Sequence, residues 1–240
     1  MPIDPIAAVD WAAIPAPEVP TTSWAAAGPP RGRRLPDPVA PLRALAAART
    51  RTQAADALTR LENTCVLHGH MRAVFPPAVA AAPFLLETAQ APDTLPAARD
   101  AALEVLGAFL TWDPVAGFTR VGGTPLCCAV ADLVRARGDH LRALGAGGRE
   151  LLEEAAAHWR FEVAESFAEP DRLIAFGPLA GAPPAAGTRA EVGSEGPVCA
   201  VTVEYPPTEE SADACLRLVG VAEAPPGTVL RPAECAERVH

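Results

Sequence analysis

At Trp159 the spacing of apolar residues changes from helical to extended, and that change constrains the chain more than any other feature. Upstream, "TQAADALTRLENTC" places Ala54, Leu58, Leu61 and Cys65 at intervals of four, three and four, one face of a 3.6-residue repeat. Downstream, "WRFEVAESF" alternates Trp159, Phe161 and Val163 with Arg160, Glu162 and Ala164, the period of a half-buried strand. Helices therefore precede strands, with the boundary near residue 160, and that order predicts an α+β fold.

The helical stretch divides at its own start and stop signals. "PVAPLRALAAAR" offers Val39, Leu42, Leu45 and Ala46 to one face. A third helix is expected from Pro77 to about Gln90, and a fourth from Pro96 with Ala102, Val105, Leu106, Phe109 and Leu110 inward. Proline at a first helical position costs little, because that N–H has no intrahelical acceptor. "TPLCCAVADLVRARG" predicts a fifth helix with Thr124 as N-cap, Pro125 at the first position and Gly138 as terminator. "GRELLEEAAAHW" predicts a sixth. Beyond residue 160, "RLIAFGPL" is the expected hairpin partner of the first strand, and residues 180–197 read as a loop rich in Gly, Pro and Ala. "VCAVTVEY" (198–205) and "CLRLVGVA" (215–222) read as further strands, with a short helix over "SADACLRLVG" as the alternative.

Half of the residues are apolar but only 5% are aromatic, so Ala, Leu and Val must build the core. Such side chains let helix axes approach closely. The 27 prolines and 18 glycines argue against one unbroken bundle. Residues 1–37 are Pro-rich with isolated anchors at Ile6, Trp11, Ile14 and Trp24, which predicts an arm laid over the first helices. The formal charge is −9 and every basic residue is Arg, so general binding of nucleic acid is disfavoured. The short basic run "RGRR" (31–34) reads as a solvated loop. No apolar run is long enough to span a membrane, and the N-terminal stretch has no basic segment followed by an apolar one. The expected location is the cytoplasm.

"ALTRLEN", a histidine, "AVFPPAVAAAPFLLETA" and "ALEVLGAFL" together resemble the HEAT-repeat-like proteins of actinobacteria over residues 9–112. His70, Phe75 and Pro83-Phe84-Leu85 match that pattern, whereas Met71, Arg72 and Ala73 stand where the family carries Gln-Gly-Thr. The change of period at Trp159 predicts a small antiparallel β subdomain over 161–240. The resemblance implies that the helical part over 38–160 is an N-terminal HEAT-like α-solenoid. It also implies that Pro83 kinks its helix so that short helices curve around the solenoid.

Candidate chemistry is sparse. Cys65, His68 and His70 form C-x2-H-x-H, three ligands within six residues, but no second cluster with ligand spacing follows. His140 and His158 stand alone in the sequence, so no metal and no cofactor are expected. Adjacent Cys127 and Cys128 read as small hydrophobes in a helix core rather than as nucleophiles. "FTRVGGTP" lacks the lysine of a phosphate loop and reads as a turn that starts a helix. Trp112 and Trp159 read as packing residues. Tyr205 beside Pro206-Pro207 would expose an aromatic side chain at low entropic cost.

A solenoid presents an extended surface for another macromolecule. The expected function is therefore a non-catalytic protein-binding module, an immunity or inhibitor protein that masks a basic toxin or enzyme. His68, His70, Met71, Arg72 and Tyr205 are the candidate partner contacts. The alternative is an enzyme with its site between the helical and β parts, near His68 and His70.

Overall fold

The computed structural model describes residues 4–20 and 32–233. Two short strands come first, β1 (Glu18–Pro20) and β2 (Gly32–Arg34), paired antiparallel. Seven helices follow among the described residues: α1 (Val39–Ala46), α2 (Arg51–Leu61), α3 (Pro77–Gln90), α4 (Pro96–Thr111), α5 (Leu126–Arg135), α6 (Gly138–Ala143) and α7 (Ala146–Ala156). Between them lie the two-residue strands β3 (Asn63–Thr64), β4 (Leu67–His68), β5 (Ala73–Val74), β6 (Asp113–Pro114), β7 (Arg120–Val121) and β8 (Thr124–Pro125). The chain then forms β9 (Arg160–Glu162), β10 (Glu165–Glu169), β11 (Arg172–Ala180), β12 (Thr188–Val192), β13 (Val198–Tyr205), β14 (Asp213–Val219) and β15 (Val229–Pro232).

The helices do not form a solenoid. In a solenoid each repeat touches only its neighbours in sequence. Here α4 packs against α1, α2, α3, α5 and α7 together, so the helices form a bundle around one central member. The sequence of α4 explains its place. Ala98, Ala101, Ala102, Leu103, Val105, Leu106, Ala108, Phe109 and Leu110 are all buried, and an apolar face this wide needs several helices to cover it. Pro83 sits inside an α3 that runs unbroken from Pro77 to Gln90.

Several boundaries also differ from expectation. Thr124 and Pro125 belong to the β7–β8 hairpin, so α5 starts at Leu126. Gly138 opens α6 instead of merely ending α5. The "RGRR" loop is in part strand β2, and its Arg31, like Trp24, lies outside the described residues. Of the expected N-terminal arm, residues 6–14 touch the bundle: Trp11 is buried with its ring 6.4 Å from that of Phe84, and Ile6 and Ile14 pack against the same core. Asp4 pairs with Arg43 of α1.

The C-terminal strands close into a six-stranded antiparallel barrel in the order β11-β14-β13-β12-β15-β9, with β9 returning to β11. Closure leaves no free edge in the ring. β10 stands outside it as a hairpin partner of β11. Strands β9 and β10 share one edge of β11, and the chain between them crosses at Gly177. A Cβ there would fall 1.9 Å from the Glu162 carbonyl oxygen, so the seam admits only glycine. Two ring members were not anticipated: β12 lies within the expected loop 180–197, and β15 follows Pro225-Pro226. The segment around Cys215 is strand β14, which excludes the short helix.

Partly buried ionic contacts join barrel to bundle. Arg120 donates to Glu191 Oε2 at 2.6 Å and to the carbonyl oxygens of Gly123 at 2.6 Å and Ala233 at 3.2 Å. Asp132 of α5 accepts from both Arg135, at 2.5 Å, and Arg231 of β15, at 2.6 Å. Burial alone would push the Asp132 carboxyl up. The hydrogen bonds and charges of Arg231, then of Arg135, outweigh that and hold it below the ordinary carboxylate value. The β7–β8 turn reaches the same seam. Gly122 and Gly123 both have positive φ (55° and 75°), as a two-residue hairpin turn requires, and a Cβ on Gly123 would fall 1.9 Å from Ser194 Oγ.

Candidate functional site

The C-x2-H-x-H stretch from Cys65 to His70 becomes a corner at the C-terminal end of α4. "NTCVLH" forms the β3–β4 hairpin, and Gly69–Met71 makes one 3-10 turn. The chain then pairs β5 with β6 in parallel, Ala73 opposite Asp113. That pairing sets Arg72 beside Trp112, with the guanidinium carbon 5.8 Å from the ring centroid. A hollow of about 330 Å³ opens there, lined by residues 71–73 and 111–115. No barrel residue lines it. His68 and His70 lie next to it with ring centroids 6.0 Å apart; His70 faces solvent, while His68 Nδ1 is buried without a hydrogen-bond partner among the described residues. Met71 is 53% exposed. Cys65 is buried in the hairpin turn, so C-x2-H-x-H does not face one point. Tyr205 is elsewhere, on the outer face of the barrel at the end of β13. It is 71% exposed and in register with Cys215 and Phe176, and Phe167 packs edge-on against Phe176.

Arg72 carries a testable conflict. Its φ of 48° is left-handed, which costs a non-glycine residue about 1 kcal/mol, while an exposed cation–π contact returns about 0.5–1 kcal/mol. Arg72→Ala keeps the strain and loses the contact, so thermal unfolding should register a loss of about 0.5–1 kcal/mol. Arg72→Gly relieves the strain as well and should stay within about 0.5 kcal/mol of the parent protein. A larger loss in the glycine variant would mean that the contact with Trp112 outweighs the backbone strain.

A second region was not singled out from the sequence. The exposed ridge of α4 carries Asp100 and Glu104, with a hollow on either side. One, of about 560 Å³, lies between α2 and α4 over Ala54, Ala55, Leu58, Leu95, Ala97 and Ala101, with Arg51 at its edge. The other, of about 400 Å³, lies between α4 and α7 over Leu103, Gly107, Gly147 and Leu151, bordered by Glu150 and Glu154. Asp100/Glu104 and Glu150/Glu154 are like-charged pairs four apart, an arrangement that destabilises isolated helices by a few tenths of a kcal/mol, roughly 0.2–0.5. None of the four has an ion pair among the described residues. Nor do they gather around a point as a cation would require, since the one converging ligand group among the described residues is Cys127, Cys128 and His158. The signal in the sequence was available: "ARDAALEVL" and "RELLEEAA" each place two acids four residues apart, on one helix face.

No helix among the described residues is long and apolar enough to cross a membrane. No family model matches the chain, and no curated protein matches it either.

Proposed function

We propose that this protein is a non-catalytic protein-binding module, of the immunity or inhibitor type, that masks a basic protein partner in the cytoplasm. The observation that carries this reading is the acidic surface of α4 and α7: Asp100 and Glu104 of α4 and Glu150 and Glu154 of α7, exposed and without ion pairs among the described residues, border two apolar-floored hollows. Such a surface suits a basic amphipathic helix, whose apolar row fills a hollow while its Arg or Lys residues reach the ridge. Complementary charge of this kind steers association and selects partners. The hollows span Leu95 to Gly107 along α4, so a partner helix of roughly 12 residues would cover about 18 Å of ridge. The corner at His68, His70, Met71 and Arg72, and Tyr205 on the barrel, remain candidate accessory contacts. The catalytic alternative has less support, because the hollow beside His68 and His70 includes nothing from the barrel.

The test is binding of a synthetic helical peptide with leucines at i, i+3, i+4 and i+7 and arginines flanking them, followed by fluorescence anisotropy. The wild-type protein should bind it, and added salt should weaken the complex. Reversing two charges, Glu104→Arg with Glu150→Arg, should weaken it by at least about tenfold, or 1.4 kcal/mol. Phe167→Ser with Phe176→Ser, on the outer face of the barrel, should leave it unchanged. Equal affinity for the charge-reversed protein would discard the ridge as the binding surface.

A further inference from the structure

Three helix ends converge inside the bundle. Cys127 and Cys128 occupy the first turn of α5, His158 follows the last turn of α7, and Leu110 lies in the last turn of α4. The two sulfurs and one imidazole nitrogen all lie within 4.8 Å of one another. None of the three residues is more than 1% exposed. His158 is held from both ends. Arg135 donates to its carbonyl oxygen at 2.8 Å, and its Nε2 lies 3.0 Å from the Leu110 carbonyl oxygen. A carbonyl oxygen accepts and cannot donate, so Nε2 carries the proton and the lone pair is on Nδ1. This is the arrangement by which metal-binding histidines are oriented: one ring nitrogen donates to a backbone carbonyl and the other ligates.

We infer that Cys127, Cys128 and His158 form a binding site for copper(I). Soft thiolate donors select copper(I) and zinc among the common ions. Structural zinc closes a tetrahedron of four protein ligands, and catalytic zinc keeps a fourth position open to water. The ligand group here stops at three among the described residues and is buried, which suits a d10 ion content with two sulfurs and a nitrogen. On binding, each ligating thiol releases its proton to solvent, and the ion keeps its oxidation state. Like the other described cysteines, Cys127 and Cys128 are reduced, as such a site needs.

The experiment titrates the full-length protein, reduced and without oxygen, with copper(I) held by a colorimetric chelator. One equivalent should be withdrawn from the chelator, and X-ray absorption should report two sulfur neighbours and one nitrogen. The thermal midpoint should rise with copper(I), a readout that needs no variant. Cys127→Ala with Cys128→Ala should abolish the withdrawal, and His158→Gln should weaken it at least tenfold. Cys65→Ala and Cys199→Ala should each still withdraw one equivalent. Circular dichroism checks that each variant is folded. No copper withdrawn by the wild-type protein, copper retained by the folded double cysteine variant, or one zinc bound in a four-ligand site would each overturn the assignment.

Discussion

Replacing Trp159 by Ala should destabilise the protein by about 3–5 kcal/mol in urea denaturation, the range for deleting a large buried aromatic side chain. Trp159 is fully buried and packs in the barrel core with Phe161, Leu179 and Leu230. It also stands between α7 and β9, where the chain passes from bundle to barrel. The cavity left by truncation cannot collapse easily, because the ring is closed on all sides by paired strands. A second substitution separates volume from polarity. Trp159 Nε1 is buried with no hydrogen-bond partner among the described residues, and an unsatisfied buried donor costs about 1–3 kcal/mol. Trp159→Phe loses volume but removes that orphan, so its loss should stay below about 1.5 kcal/mol. Equal losses for both variants would show that the cavity argument is wrong.

The second large effect is expected at the bundle–barrel seam. Arg120→Ala should cost about 3–5 kcal/mol, because it leaves the Glu191 carboxylate buried without its partner. Glu191 is 4% exposed, and Arg120 meets it at 2.6 Å while also holding the carbonyl oxygens of Gly123 and Ala233. The cost arises from the stranded charge more than from the lost attraction. The double variant Arg120→Met with Glu191→Leu should therefore recover most of the stability, since buried pairs replaced by apolar residues of similar volume are often near neutral. A double variant as unstable as the single one would assign the effect instead to the two lost carbonyl contacts.

Both effects depend on contacts between distant parts of the chain, and they mark how far the sequence could be read alone. The helix spanning Pro77–Gln90 and the strand Val198–Tyr205 stand where the local pattern puts them. Proline at a first helical turn and alternation of apolar residues are properties of a few consecutive residues, so they survive without knowledge of the fold. The exposed Tyr205 and the buried Cys127 and Cys128 were legible for the same reason.

Periodicity shows that a face is buried but not what covers it. The buried residues of α4 fit either a stacked repeat or the centre of a bundle, and only the positions of its neighbours decide for the bundle. Strands β12 and β15, five and four residues long within Pro- and Gly-rich sequence, are weak local signals. They are strands because their neighbours in the ring supply hydrogen bonds from far away in the chain. Arg120 and Glu191 are 71 residues apart, and His158 reaches Cys127 and Cys128 only because the ends of α7 and α5 meet. The sequence by itself determined the apolar faces and local conformation of segments with a strong repeat, such as Pro77–Gln90 and Val198–Tyr205, since periodicity and backbone propensity act over a few residues. Tertiary structure decided the closed barrel, the central place of α4 and the meeting of two thiols with an imidazole, because those depend on which distant surfaces fit together.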